Sequence, residues 1–216
     1  MIKCKEVALI LIFVTSCSNI PLPLYEYGYE AFKEGYFNLD SKEIDEDYFK
    51  DQKFDSIKVR FGSSRSIIMV LLSSNNGIKE WISSDKIKIY TFNGKIVKTI
   101  GLPNDIELSA FQNMYSFNES LSTDSYTVDF YEPILLSQLA KSEMKSKGTK
   151  KIKNVVKGRN QINTTYYEEK VYIEGFNWSS KNQFFLIEGN VVMSKQKIHP
   201  FLKEISIEYI DAYWID

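Results

Sequence analysis

The chain has 216 residues, 44% of them hydrophobic and 25% charged, with a formal net charge of −1. That is the composition of a folded domain, and the charge balance excludes a protein built around nucleic acid. The two cysteines, Cys4 and Cys17, lie at the extreme N-terminus, so the body of the chain holds neither a disulfide nor a thiolate metal site.

The chain opens MIKCKEVALILIFVTSCSN. Lys3 and Lys5 make a basic start, and Val7 to Val14 make an apolar run. That run is far shorter than the roughly 20 residues needed to cross a bilayer as a helix. The layout is that of a secretory signal peptide. Val14-Thr15-Ser16-Cys17 resembles a bacterial lipobox, which implies cleavage before Cys17 and lipidation of that cysteine. Residues 1–16 are then a lipoprotein signal peptide, 17–24 a tether and 25–216 a single, mostly β domain. Acyl chains contribute about 0.8 kcal/mol per buried methylene, and stable anchoring takes more than one chain. In lipoproteins of diderm bacteria an aspartate after the cysteine commonly signals inner-membrane retention. Ser18 stands there instead, so the resemblance implies a periplasm-facing protein at the outer membrane.

Beyond the tether, Tyr25, Tyr29, Phe32 and Tyr36 recur with helical spacing, and Ser41 caps a second short helix over Lys42 to Lys50. Glu43, Asp45, Glu46 and Asp47 lack the alternating ligands and glycine of an EF-hand loop, so they read as a solvated helix face.

From Ser56 to Glu107 the chain is a run of short strands. Asn75-Asn76-Gly77 marks one reversal, and Asn93-Gly94 between KIKIYTF and KIVKTI marks a β-hairpin. A two-residue loop there sets Phe92 opposite Lys95. Strict alternation then puts Ile87, Ile89, Thr91, Ile96, Lys98 and Ile100 on one face. Lys86, Lys88, Tyr90, Phe92, Lys95, Val97 and Thr99 fall on the other. Residues 112–125 are polar and read as a long loop. YTVDFY (126–131) restarts the strands. The stretch from Pro133 to Lys147 has helical composition but lies between strands, and it reads as extended. The lysine-rich region around KGTKK reads as a solvated loop, with a basic hairpin tip as the alternative.

Four closing strands are expected at about Glu169–Phe176, Asn182–Glu188, Asn190–Ile198 and Lys203–Tyr209. A tight turn at Gly189-Asn190 sets Leu186 against Met193, Phe184 against Lys195 and Ile187 against Val192. Asn118-Glu119-Ser120 and Asn163-Thr164-Thr165 match a glycosylation sequon that arises often by chance. The predicted fold is mainly β, with antiparallel meander sheets, barrel- or sandwich-like, and one or two short N-terminal helices. The 14 Tyr, 14 Phe and 3 Trp fit sheet packing first and sugar-stacking platforms second.

VRFG (59–62), EWISSDKIKIYTFNGKIVKTIGLPNDI (80–106), EGFNW (174–178) and SKQKIHPFLKEISIEYI (194–210) together resemble the YjbF/GfcB lipoprotein family. Thr99, Gly101, Leu102, Asp105, Trp178, Ser194, Gln196, Ile198 and Pro200 stand at the matching positions. Phe184 and Phe185 replace an aromatic-tryptophan pair frequent in the family. The resemblance implies an outer-membrane lipoprotein that assists capsule or exopolysaccharide assembly or export, without catalytic residues.

The residues agree with a non-catalytic role. His199, the single histidine, precedes Pro200 and reads as structural. No nucleophile elbow, P-loop or dinucleotide fingerprint occurs, and no cofactor or metal is expected. A glycan-processing enzyme would need a carboxylate pair, for which Glu168, Glu169, Glu174 and Asp105 are the first candidates. The other alternative is a polysaccharide-binding module, with Trp81, Trp178 and Gln196 as candidate glycan contacts. For both tryptophans core packing is the competing explanation. Trp214 lies outside the matching region. The expected partners are the membrane through Cys17, and polysaccharide export proteins or the polysaccharide itself.

Overall fold

β-Branched and aromatic residues dominate the described strands, as expected for a pleated, half-buried surface. The computed structural model describes residues 55–109, 117, 121–132, 135–153 and 161–210, all within the unit Phe37–Asp216. Cys4, Cys17, the tether, both predicted N-terminal helices, the acidic cluster, the Asn118 sequon and Trp214 lie outside the described residues.

The strands are β1 (Ser56–Phe61), β2 (Ile67–Asn75), β3 (Ile78–Ser83), β4 (Lys88–Phe92), β5 (Lys95–Ile100) and β6 (Ile106–Ser109). They continue as β7 (Leu121–Phe130), β8 (Leu136–Lys153), β9 (Gln161–Ile173), β10 (Trp178–Ile187), β11 (Asn190–Gln196) and β12 (Ile205–Ile210). A 3-10 turn at Glu174–Phe176 links β9 to β10. Every neighbour pairs antiparallel, and β1 pairs with β12 to close a twelve-stranded barrel.

Eight strands give a barrel just wide enough for side chains to fill. Twelve in a round ring would leave a hollow centre. Here β5 and β11, half-way round the ring from each other, meet across the interior. Gln196 of β11 bonds the backbone of Ile96 and Gly94. The barrel is therefore flattened, and its opposite walls pack like the layers of a sandwich. Ile57, Val59, Met69, Trp81, Ile89, Ile96, Phe184, Ile205 and Ile207 are fully buried between them. The outer wall carries ion pairs such as Lys88–Glu80 and Lys98–Glu107, where a membrane-spanning barrel carries an apolar band.

The strand register departs from strict alternation at both tight hairpins. Phe92 does face Lys95, and Thr91 faces Ile96, but Tyr90 then faces Lys98. Val97 is an extra residue, a β-bulge, and it reverses the faces beyond it. Val97 and Thr99 are buried while Ile100 is exposed. The second turn is Glu188-Gly189 rather than Gly189-Asn190. Ile187 faces Asn190, Leu186 faces Val191, and after a bulge at Val192, Phe185 faces Met193. The positive φ values fall on Glu188 (50°) and Gly189 (83°). As in Asn93-Gly94 and Asn76-Gly77, glycine takes the second central position.

Three further boundaries differ from expectation. Residues 121–125 belong to β7, not to a loop. The Pro133–Lys147 region is extended from Leu136, and the strand carries on through KGTKK to Lys153, because β9 begins as early as Gln161 and pairs with it. Residues 174–176 turn instead of extending β9, and β10 starts at Trp178.

Candidate functional site

Among the described residues, the barrel interior contains an ionised network. β5 points Lys95 inward just after the Asn93-Gly94 turn. Its Nζ donates to Glu169 Oε1 at 2.5 Å and to the Tyr126 hydroxyl at 2.9 Å. Asn182 Nδ2 donates to the other carboxylate oxygen of Glu169 at 2.8 Å, and Asn182 Oδ1 accepts from the Lys197 amide at 2.8 Å. Glu169 is fully buried and Lys95 nearly so. Burial holds the Lys95 ammonium below the usual lysine range, and the Glu169 carboxylate opposes that shift. Each charge thus satisfies the other, as buried charges must.

Beside this network lies a cavity of only about 20 Å³, lined by Lys95, Tyr126, Val171, Trp178, Asn182 and Lys197 among others. That is room for about one water molecule. Among the described residues, this cavity is too small to hold a sugar chain.

The predicted site residues are placed apart. Trp81 is fully buried, and its Nε1 donates to Thr91 Oγ1 at 2.9 Å. Gln196 is also fully buried. Its Oε1 accepts from the Ile96 amide at 2.9 Å, and its Nε2 donates to Gly94 O at 2.8 Å and Ser194 Oγ at 2.9 Å. Both side chains are buried and bonded within the fold. Trp178 is half-buried against the small cavity.

The four carboxylates are committed to different neighbours. Glu169 holds Lys95. Asp105 accepts from the Gly101 and Leu102 amides at 2.8 and 3.1 Å, closing the turn before β6. Glu168, on the opposite face of β9 from Glu169, stands 3.9 Å from Lys147. Glu174 is exposed, 4.0 Å from Lys141. His199 is buried, accepts from the Phe201 amide at Nδ1 (3.1 Å), and packs its ring against Phe130 and Phe201. Burial, helped by the Lys197 charge, lowers its pKa to about 4, so the imidazole is neutral at neutral pH.

The positions that carry the family resemblance are stitches of the fold. Thr99 Oγ1 accepts from the Ile106 amide at 3.1 Å and ties β5 to β6. Gly101 takes φ +89° in the turn that Asp105 closes. Gln196 fastens β11 to the Asn93-Gly94 tip. The sequence profile described as "Group 4 capsule polysaccharide lipoprotein gfcB, YjbF" matches residues 29–210. The chain belongs to the YjbF family. A solved structure, the hypothetical lipoprotein YmcC from Escherichia coli (K12), superposes with a TM-score of 0.65. The two chains are 16% identical over 90% of this chain and 98% of that one, a likeness of fold. No curated protein matches this YjbF-family sequence.

Sequence reasoning missed the outer surface. The outward faces of β7, β8 and β9 form an open cleft of about 620 Å³. Thr123, Ser125, Lys141, Glu143, Lys170 and Tyr172 line it, and Tyr172 is 41% exposed. Its components alternate along three strands distant in sequence, so only the register in which β7, β8 and β9 pair assembles it.

Proposed function

We infer that this YjbF-family protein is a lipid-anchored, non-catalytic assembly factor for capsule or related exopolysaccharide export. Cys17 carries the lipid and holds the β domain at the periplasmic face of the outer membrane. The observation that carries this reading concerns the described interior: the cavity beside Lys95 holds about one water, and the buried Lys95 and Glu169 charges neutralise each other. Work is then done on the outer surface, by contact with export proteins or with the polymer. Family membership supports the link to capsule, and Val14-Thr15-Ser16-Cys17 supports the anchor. The test is capsule imaging in a deletion strain complemented with wild type or with Cys17→Ser. Loss of surface polymer, restored by wild type and not by Cys17→Ser, is expected. Unaltered capsule after deletion refutes the assignment.

A second reading is favoured by the cleft on β7–β9. An exposed tyrosine among hydroxyls, lysines and a carboxylate offers a sugar both a stacking face and hydrogen-bond partners. In that case the protein binds polysaccharide directly. Calorimetry with the cell's own glycan, on wild type and Tyr172→Ala, checks it. Absence of binding to wild type removes this reading and leaves the assembly role standing.

A further inference from the structure

One end of the barrel gathers the start of β1, the end of β12, the Asn93-Gly94 and Glu188-Gly189 tips, and the outer part of the β8–β9 hairpin. The hairpin is asymmetric in charge. β8 carries Lys141, Lys145, Lys147, Lys150, Lys151 and Lys153 against a single acid, Glu143. Near its base Glu168 compensates, opposite Lys145 in register and 3.9 Å from Lys147. Past the irregularity between Ser146 and Thr149 no acid remains on the partner strand. Lys150, Lys151 and Lys153 face Thr164, Asn163 and Gln161. All three lysines are exposed, and Lys150 lies over the Tyr166 and Phe185 rings at 4.9 and 5.5 Å. Leu121, 51% exposed, pairs with Lys145 on the neighbouring strand.

In a protein of net charge −1 this arm is locally cationic, with Lys151 and Lys153 on one face, Lys150 on the other, and an exposed leucine at its base. That combination matches a bilayer interface, where lysines meet phosphate headgroups and an apolar side chain enters the acyl boundary. Its position matches too, because the chain leading from Cys17 enters the barrel at Ser56, at the same end.

We propose that the outer β8–β9 arm docks on the anionic headgroups of the membrane that holds the lipid anchor, and so orients the barrel on its surface. This rests on the anchoring of Cys17. The opposite end of the barrel, with the Ser83–Ile87 turn and the His199 loop, then points away from the bilayer.

The test uses the mature lipidated protein in phosphatidylcholine vesicles with or without phosphatidylglycerol. Lysine acetylation is mapped by mass spectrometry. Labelling of Lys150, Lys151 and Lys153 is expected to fall at least about fivefold with phosphatidylglycerol, the factor equivalent to ~1 kcal/mol per lysine near an anionic surface. High salt restores it, and Lys86, exposed at the far end, does not change. The double variant Lys151→Glu/Lys153→Glu is expected to lose protection at Lys150 while melting at the wild-type temperature. Equal labelling in both vesicles overturns the proposal. So does protection by soluble alginate in phosphatidylcholine vesicles where phosphatidylglycerol gives none, which would make the occupant a polysaccharide. The mass of the Cys17 peptide separates the two readings. A lipidated cysteine with unprotected lysines refutes the arm alone, and an unmodified cysteine refutes the anchor and the orientation with it.

Discussion

The β4–β5 and β10–β11 hairpins are built alike and used differently. Each turns on two residues of positive φ with glycine second, and each carries a valine bulge at the same step of the return strand, Val97 or Val192. Both bulges bend and twist their hairpins where the flattened barrel needs curvature. The tips then part company. At the first, Lys95 turns inward to Glu169, and the Gly94 carbonyl is gripped by Gln196 and the Tyr209 hydroxyl. At the second, Asn190 is exposed, and a Cβ on Gly189 would meet nothing within 4 Å. A local motif fixes the bend, and the opposite wall decides whether the tip becomes core.

The largest expected contrast is between Glu169 and Asn190. Glu169→Ala leaves a buried ammonium without its partner and is expected to destabilise by about 3–5 kcal/mol. Asn190→Ala, at the position equivalent to Lys95, is expected to change stability by less than about 0.5 kcal/mol. Denaturant unfolding of both variants checks this, and a mild Glu169→Ala phenotype would erase the distinction between the tips.

The glycines give the second contrast. A methyl group on Gly94 would lie 2.6–2.7 Å from Val191 side-chain atoms, on top of the backbone strain at φ +79°. Gly94→Ala is expected to cost about 2–5 kcal/mol, strain and overpacking together. Gly189→Ala carries the strain alone, about 1–2 kcal/mol. Equal melting temperatures for the two would show that Val191 moves aside freely.

Acid separates the hairpin tips from the far end of β11. His199 has a folded pKa near 4 against an ordinary value of 6.5, so the unfolded chain binds its proton first. The stability this provides is full above about pH 6.5 and is lost as pH falls towards 4, up to about 3 kcal/mol. His199→Gln is expected to flatten the stability profile across that window, while Gly94→Ala keeps its slope. An unchanged slope in His199→Gln would contradict the buried, neutral imidazole.

The last contrast lies at Gln196, whose bonds join the two walls at the Gly94 tip. Gln196→Ala strands the Ile96 amide and one bond to the Gly94 carbonyl, at about 1–3 kcal/mol. Hydrogen exchange at Ile96 is expected to accelerate. Protection at wild-type level would mean that water takes over the bond.

Much of the fold was legible because turns are local. Asn76-Gly77 and Asn93-Gly94 announce hairpins through the φ values they permit, and the β-rich runs between them can only be strands. The bulges were not legible. KIVKTI and VVMSKQ alternate without a break in sequence, and the extra residue shows only in what each strand faces. The length of β8 was hidden for a related reason, since KGTKK is a poor strand alone and is held by β9. At the candidate site, Trp81 and Gln196 were singled out by residue type, while their burial depends on walls that meet across the barrel. The cleft around Tyr172 and the lysine arm needed the register of β7, β8 and β9.

The seam between β1 and β12 joins the first described strand to the last. A polypeptide delivered amino end first must therefore keep the Ser56–Phe61 edge unmated until Ile205–Ile210 has been threaded through. The ring cannot close before that segment is in place, and a chain cut short just before it would leave the outer edges of β1 and β11 unmated.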